Sequence, residues 1–177
     1  DGVNIYYKET GDKNGRAVIG LHGWNATHEM YDDLFFGMPD YRCISLDFRG
    51  VNKSSLPKSG ITMGGLAADV KTLIAHLGLK DVVLIGYSMG ASVLYKYIEL
   101  FGTQDLYRTI ICEMSPKLLN DGEWHEGLGQ GKEDPMESIL AAERMFENYP
   151  VFYRGFQLEK NPALSKLAPK MLDTMLA

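Results

Sequence analysis

The stretch VVLIGYSMGASV, residues 82–93, decides how this chain is read. Val82 to Ile85 form a short apolar, strand-like run, and ASVLYKYIEL, which follows Gly90, carries helical spacing. Between the two, Ser88 stands with a glycine two positions to either side, Gly86 and Gly90. A strand that turns directly into a helix at a serine leaves the hydroxyl exposed above the sheet, in a backbone conformation that few residues adopt. The flanking positions must be small because strand and helix approach closely there. A serine so placed attacks a carbonyl carbon, provided that a base takes its proton and that donors hold the oxyanion. One donor is the backbone N–H of the following residue, Met89.

The second donor should come from the loop after an earlier strand. AVIGL (17–21) reads as such a strand and runs into LHGW (21–24), where Gly23 lets the chain turn so that the N–H of Trp24 faces the same place. Around these segments the pattern alternates. VNIYYKE (3–9) reads as a strand followed by a turn at GDKNG (11–15), THEMYDDLFFGM (27–38) as a helix, and YRCISLDFRG (41–50) as a strand with charge at its end. TMGGLAADVKTLIAHL (62–77) puts Leu66, Val70, Leu73, Ile74 and Leu77 on one helical face, and Gly78 ends that helix. A helix at 91–102 and a strand at TIICEMS (109–115) follow. Strands alternating with helices of ten or more residues need crossover connections, so the fold class is α/β, a mostly parallel sheet flanked by helices. AVIGL, VVLI and TIIC are apolar at nearly every position, as in strands covered on both faces.

Beyond Pro116 the rhythm changes. NDGEWHEGLGQGKEDP (120–135) is rich in glycine and charge, and two helical segments come next with no further strand. One opens at Asp134-Pro135 with an N-cap and a proline at the first helical position, and the other is ALSKLAPKMLDTML (163–176).

Composition narrows the function classes. Formal net charge is −5, and lysine and arginine are scattered without a basic run, which argues against nucleic acid as a partner. No apolar run approaches the roughly 18 residues of a membrane span, so no membrane is expected. Cys43 and Cys112 lie in apolar strand-like runs and read as reduced thiols, which favours a cytoplasmic setting. No cluster of histidines and carboxylates has metal-ligand spacing, and no glycine-rich phosphate or dinucleotide loop is present, so neither metal nor cofactor is expected. Oligomeric state is not addressed by any of these features.

LHGW (21–24), LDFRGVNKSS (46–55) and LIGYSMGA (84–91), in this order, resemble the α/β-hydrolase fold family, in its cap-bearing branch of esterases, perhydrolase or haloperoxidase-like enzymes and C–C bond hydrolases. The resemblance assigns residues 1–118 to the N-terminal part of the hydrolase core and 119–177 to the start of a helical cap. Asp47, Arg49, Gly50 and Ser54 follow the family pattern, while Asn52 stands where a second glycine is expected, a substitution that left-handed backbone tolerates. It implies a serine hydrolase that acts on an ester or related acyl compound through an acyl-enzyme. Ser88 is then the nucleophile, with Met89 and Trp24 as oxyanion donors.

In the family the acid and the histidine follow later strands, in the order serine, acid, histidine. Those strands are not found in 1–177, so the expectation is a fragment that ends within its cap and is inactive alone. The histidines at hand are His22 in the oxyanion loop, His28 after it, His76 on a helix surface and His125 in the cap segment; Glu113 is an alternative acid. Trp24, Met89, Trp124, Met136, Met145, Phe146, Phe152, Tyr153 and Phe156 could line an apolar pocket over Ser88 suited to a small apolar acyl substrate. Two readings compete with this one: a non-catalytic hydrolase-like binding protein, and an enzyme that uses His125 as its own base.

Overall fold

The computed structural model describes residues 2–58, 60–120 and 123–127, together with 154, 155, 157, 158 and 161–166. The chain divides into two compact units, Asp1–Pro116 and Lys117–Ala177.

The first unit is built on a five-stranded sheet. Its strands are β1 (Tyr7–Gly11), β2 (Ala17–Leu21), β3 (Arg42–Leu46), β4 (Val82–Tyr87) and β5 (Leu106–Cys112), in the order β1-β3-β2-β4-β5. β2, β3, β4 and β5 run parallel, and β1 joins the β3 edge antiparallel. The crossovers expected from the alternating pattern are present as helices α2 (Met63–His76) and α3 (Met89–Phe101). Thr62 caps α2 by accepting from the Gly65 N–H at 3.1 Å, and Gly78, at φ 62°, ends it.

Both faces of the sheet are covered at β2, β3 and β4, whereas β5, whose TIIC run was expected to be covered on both faces, is largely exposed at the sheet edge. Ile19, Leu21, Ile44, Leu46 and Leu84 pack against Leu66, Val70, Ile74, Leu94 and Tyr97, all nearly or fully inaccessible. Each such side chain contributes roughly 1.5–3 kcal/mol on leaving water. On the opposite face Val18, Cys43 and Ile85 meet Tyr31 and Phe35. The segment that supplies those two rings was expected as one helix over 27–38. It is instead a 3-10 turn at His28–Tyr31 followed by a short helix α1 (Asp32–Phe36).

Three strands differ in extent from the expectation, and the strand expected over 41–50 ends at Leu46, before the Asp47 turn. β1 begins at Tyr7 and reaches Gly11 because its partners on β3 lie opposite those residues, with Tyr7 facing Leu46 and Gly11 facing Arg42. Arg42 also donates to the Glu9 carboxylate at 3.1 Å across that pair. β5 starts at Leu106, three residues earlier than expected, because it pairs with β4 from Val82 onward. It forms the sheet edge opposite β1, with Tyr107 and Ile110 half exposed. Asp105, just before β5, accepts from the Tyr97 hydroxyl at 2.9 Å and pairs with Lys71, tying α3 and α2 to the strand. Cys43 and Cys112 are both free, the first buried and the second half-buried.

In the second unit the Trp124 indole donates to the Lys117 carbonyl at 3.1 Å, and the Gly127 N–H to the Asn120 side chain at 2.9 Å. Pro162–Lys166 is a 3-10 turn at the start of the helical segment expected over 163–176 with a break at Pro169, whose remainder lies outside the described residues. The helix expected from Asp134-Pro135 lies outside the described residues, as do Met136, Met145, Phe146 and Phe152; nothing is described of the Tyr153 or Phe156 side chains.

Candidate active site

Ser88 is the residue between β4 and α3, and its backbone stands at φ 50°, ψ −120°. A non-glycine residue held there costs on the order of 1–3 kcal/mol and persists only where its surroundings impose it. The impositions are visible. The Ser88 N–H donates to the Cys112 carbonyl at 3.0 Å, and the Ser88 carbonyl accepts from the Ala91 N–H at 2.9 Å. A Cβ on Gly86 would lie 2.6 Å from the Ala91 Cα, and one on Gly90 would lie 2.0 Å from the Leu21 carbonyl oxygen. Both glycines therefore stand where only a hydrogen fits, which is the demand read from the sequence. Ser88 makes no side-chain capping bond to α3. Met89 opens the helix, so its N–H is among those that helix geometry leaves without an internal partner, and the positive end of the helix dipole favours an anion there.

Parallel pairing brings the oxyanion-loop candidate alongside. Leu21 at the end of β2 is in register with Gly86 on β4, so the two strand ends deliver His22–Asn25 and Ser88 to the same edge of the sheet. A Cβ on Gly23 would sit 3.4 Å from the Ser88 Cβ and 3.0 Å from the Tyr87 ring. The chain turns at Gly23–Ala26, closed by the Ala26 N–H on the Gly23 carbonyl, with Asn25 at φ 57°. Trp24 is in that turn, and it lines, together with Met89, one cavity of about 410 Å³.

His22 is buried and fully committed. Its Nε2 accepts from the Phe48 N–H at 3.2 Å, so the proton resides on Nδ1, which donates to the Gly23 carbonyl at 2.8 Å. Burial holds the ring below the ordinary imidazole range, against the opposing pull of the Gly23 carbonyl. A neutral ring with both nitrogens engaged braces the loop and takes no proton from Ser88.

His28 has a different occupation, which the sequence does not reveal. Its N–H and its Nδ1 both donate to one Asp47 oxygen, at 2.8 and 2.9 Å. The other Asp47 oxygen accepts from the Asn52 amide at 3.0 Å and the Lys53 N–H at 3.3 Å. Burial pushes the Asp47 carboxyl up, yet the donors from His28 and Lys53 outweigh it, and the group is held below the usual carboxylate range. Asn52, at φ 47°, takes the left-handed backbone expected where the family pattern has glycine. Arg49 is clamped by Asp69 through two bonds of 2.6 Å. The Asp47 and Arg49 of the motif are thus structural braces in this unit. Proximity along the chain gives no signal for either pair, since their partners lie 19 and 20 residues away.

The other candidates are less engaged. His76 is exposed at the end of α2. Glu113 is exposed just after β5, at φ 56°. His125 is exposed and Trp124 half-buried in the second unit. Among the described residues no group of three histidine, cysteine or acidic side chains could hold a metal ion, and no helix is long and apolar enough to cross a membrane.

Comparison with known proteins gives a consistent answer. The sequence matches the family model described as alpha/beta hydrolase fold over residues 16–170. It is 34% identical to a non-heme haloperoxidase of Rhodococcus erythropolis over 131 residues, which cover 72% of this chain and 47% of that protein. A non-heme chloroperoxidase of Streptomyces lividans is 32% identical over 147 residues, 81% of this chain and 53% of its own. An esterase from Exiguobacterium antarcticum superposes with a TM-score of 0.76 at 26% identity, over 99% of this chain and 63% of that one. The chain spans about half the length of the curated relatives it matches.

Proposed function

The chain belongs to the α/β-hydrolase fold family, and from that premise we propose that it transfers an acyl group to water through an acyl-enzyme formed on Ser88. The observation that carries this reading is the Ser88 backbone at φ 50°, held at the end of β4 by glycines that admit no side chain. A protein pays such strain where a side chain must be presented.

In the proposed reaction the Ser88 Oγ attacks the carbonyl carbon while a base takes its proton. The carbonyl oxygen becomes an oxyanion held by the N–H groups of Met89 and Trp24. One such donor is worth about 10²–10³ in rate. Collapse expels the alcohol, which leaves with the proton from the base. Water then attacks the acyl-enzyme and gives a proton to the same base; the bond to the Ser88 Oγ breaks, the base returns the proton to that oxygen, and the carboxylic acid is released. The base and its acid partner lie outside residues 1–177 in this proposal. What supports that placement is the commitment of His22 and His28 to structural bonds, and a match to only about half of each relative. The substrate is a small, uncharged acyl compound.

The engagement of both His22 ring nitrogens and of the His28 Nδ1 favours a second reading, a non-catalytic protein that keeps the hydrolase frame as a binding site. One comparison separates the two. The protein and its Ser88→Ala variant are treated with a fluorophosphonate and with 4-nitrophenyl butyrate, as residues 1–177 and at full length. Ser88-dependent labelling at full length supports acyl transfer; equal signals from both proteins favour the binding module. Ser88-dependent labelling of residues 1–177 alone would place a base within them, and His125 would be replaced next.

A further inference from the structure

The cavity shared by Trp24 and Met89 lies wholly within the first unit, and its wall is informative. We propose that it receives an uncharged aliphatic acyl chain and that Ile61 and Val51 set the chain length it accepts, an assignment that rests on the acyl-transfer reading. The volume, about 410 Å³, lies in the range of small-molecule sites, roughly 300–1,000 Å³. Phe48, Val51, Ile61 and Leu66 supply its apolar lining.

The chemistry of the ligand follows from what the wall cannot offer. Only two ionisable side chains, His22 and Arg49, line the cavity. His22 has both ring nitrogens engaged, and the Arg49 guanidinium is clamped by Asp69 at 2.6 Å on two nitrogens. Asn52 spends its amide on Asp47 at 3.0 Å, and Thr27 spends its hydroxyl oxygen on the Glu29 N–H. The lining is largely apolar, so a charged substituent pressed against it costs more than a hydrocarbon chain does.

The mouth adds a second observation. Ile61 is 55% exposed and Leu56 is 77% exposed. Both close on Gly50, whose Cβ position would lie 3.1 Å from the Ile61 Cδ1 and 3.4 Å from the Leu56 Cδ1. Gly50 is at φ 79°, so its missing side chain is what lets these two side chains close over it. Ile61, which lines the cavity and is left exposed, gains by covering a hydrocarbon ligand. The acyl chain is the better occupant than the alcohol because it stays attached to Ser88 through both steps, while the alcohol must leave between them.

The test uses the full-length Ser88→Ala protein, which binds esters without turning them over, with carbon-13 labelled methyl groups on isoleucine and valine. Titration with methyl hexanoate is expected to shift the Ile61 and Val51 methyl signals to saturation. Methyl 6-aminohexanoate, cationic at its tail, should bind about tenfold more weakly or worse. Ile61→Phe should weaken methyl hexanoate by about tenfold and spare methyl acetate, whereas Ile61→Ala should favour the octanoate ester. Shifts that are larger with hexyl acetate than with methyl hexanoate would overturn the acyl assignment. Ser88-dependent turnover by the unmodified protein without shifts at Ile61 and Val51 would sink the cavity while leaving acyl transfer intact. Shifts without Ser88-dependent labelling would do the reverse, leaving an apolar binding site and removing the reaction.

Discussion

His22 and Ser88 follow neighbouring strands, β2 and β4, and the fold treats them in opposite ways. His22 is buried, sits in an ordinary backbone conformation and spends both ring nitrogens on its own chain. Ser88 is half-buried, strained at φ 50°, and spends its backbone N–H and carbonyl on neighbours while its side chain caps nothing. The contrast is informative because histidine is the side chain usually assigned to acid–base work. Here reactivity follows from what a group has left over. A buried polar group left unsatisfied costs about 1–3 kcal/mol, and a ring whose two nitrogens are both bonded to the backbone has none left to accept a proton from a neighbour.

The contrast can be tested at decreasing size of effect. If the proposed acyl transfer holds, replacing Ser88 by alanine is expected to lower ester turnover by about 10⁴-fold or more. Turnover within tenfold of the parent would end the distinction drawn here. Gly90→Ala comes next. Its Cβ meets the Leu21 carbonyl at 2.0 Å, and chain movement to relieve that clash should cost about 3 kcal/mol or more, read from the urea midpoint. A neutral result would mean that strand and helix are not tightly apposed at the elbow.

His22→Ala should cost about 2–4 kcal/mol, because it strands the buried Phe48 N–H and the Gly23 carbonyl and opens a cavity. It should also depress turnover by disturbing the Trp24 turn. A variant that loses activity but not stability would make His22 a chemical participant after all.

The smallest effect is one of pH. Burial lowers the His22 pKa in the folded state, so the unfolded chain binds the proton first on acidification. The His22 contribution to stability is therefore complete above about pH 6.5 and is lost as pH falls below that value toward the folded pKa, by about 1.4 kcal/mol per pKa unit of difference. Urea midpoints at pH 8 and pH 5.5 should diverge for the parent and converge for His22→Gln. A wider divergence in the variant would reverse the sign assigned here.

Much of this arrangement was legible in the residues themselves. The elbow could be read at Gly86, Ser88 and Gly90 because its requirements are local: a strand, a helix, and no side chain at two close approaches. Asn52 in left-handed backbone and Gly78 at the end of α2 were legible for the same reason. The ends of β1 and β5 were not. Strand extent depends on which residues of β3 and β4 lie opposite, and that register is a property of the pair. The segment at 27–38 carried apolar residues at helical spacing, yet only Asp32–Phe36 became α-helix. His28, four residues earlier, is drawn instead to the Asp47 carboxylate.

The sequence by itself determined the alternation of strand and helix and the serine around which a site can form, because each rests on periodicity or on short-range steric demands, and three short motifs carried the resemblance to the family. Only the tertiary structure decided that both His22 ring nitrogens are engaged, that the His28 Nδ1 is held by Asp47, that Arg49 belongs to Asp69, and that Trp24 and Met89 share one cavity with Ile61. Apart from the His22 bond to the adjacent Gly23 carbonyl, those facts depend on groups 19 or more residues apart, and a hydrogen bond is set by position in space rather than by separation along the chain.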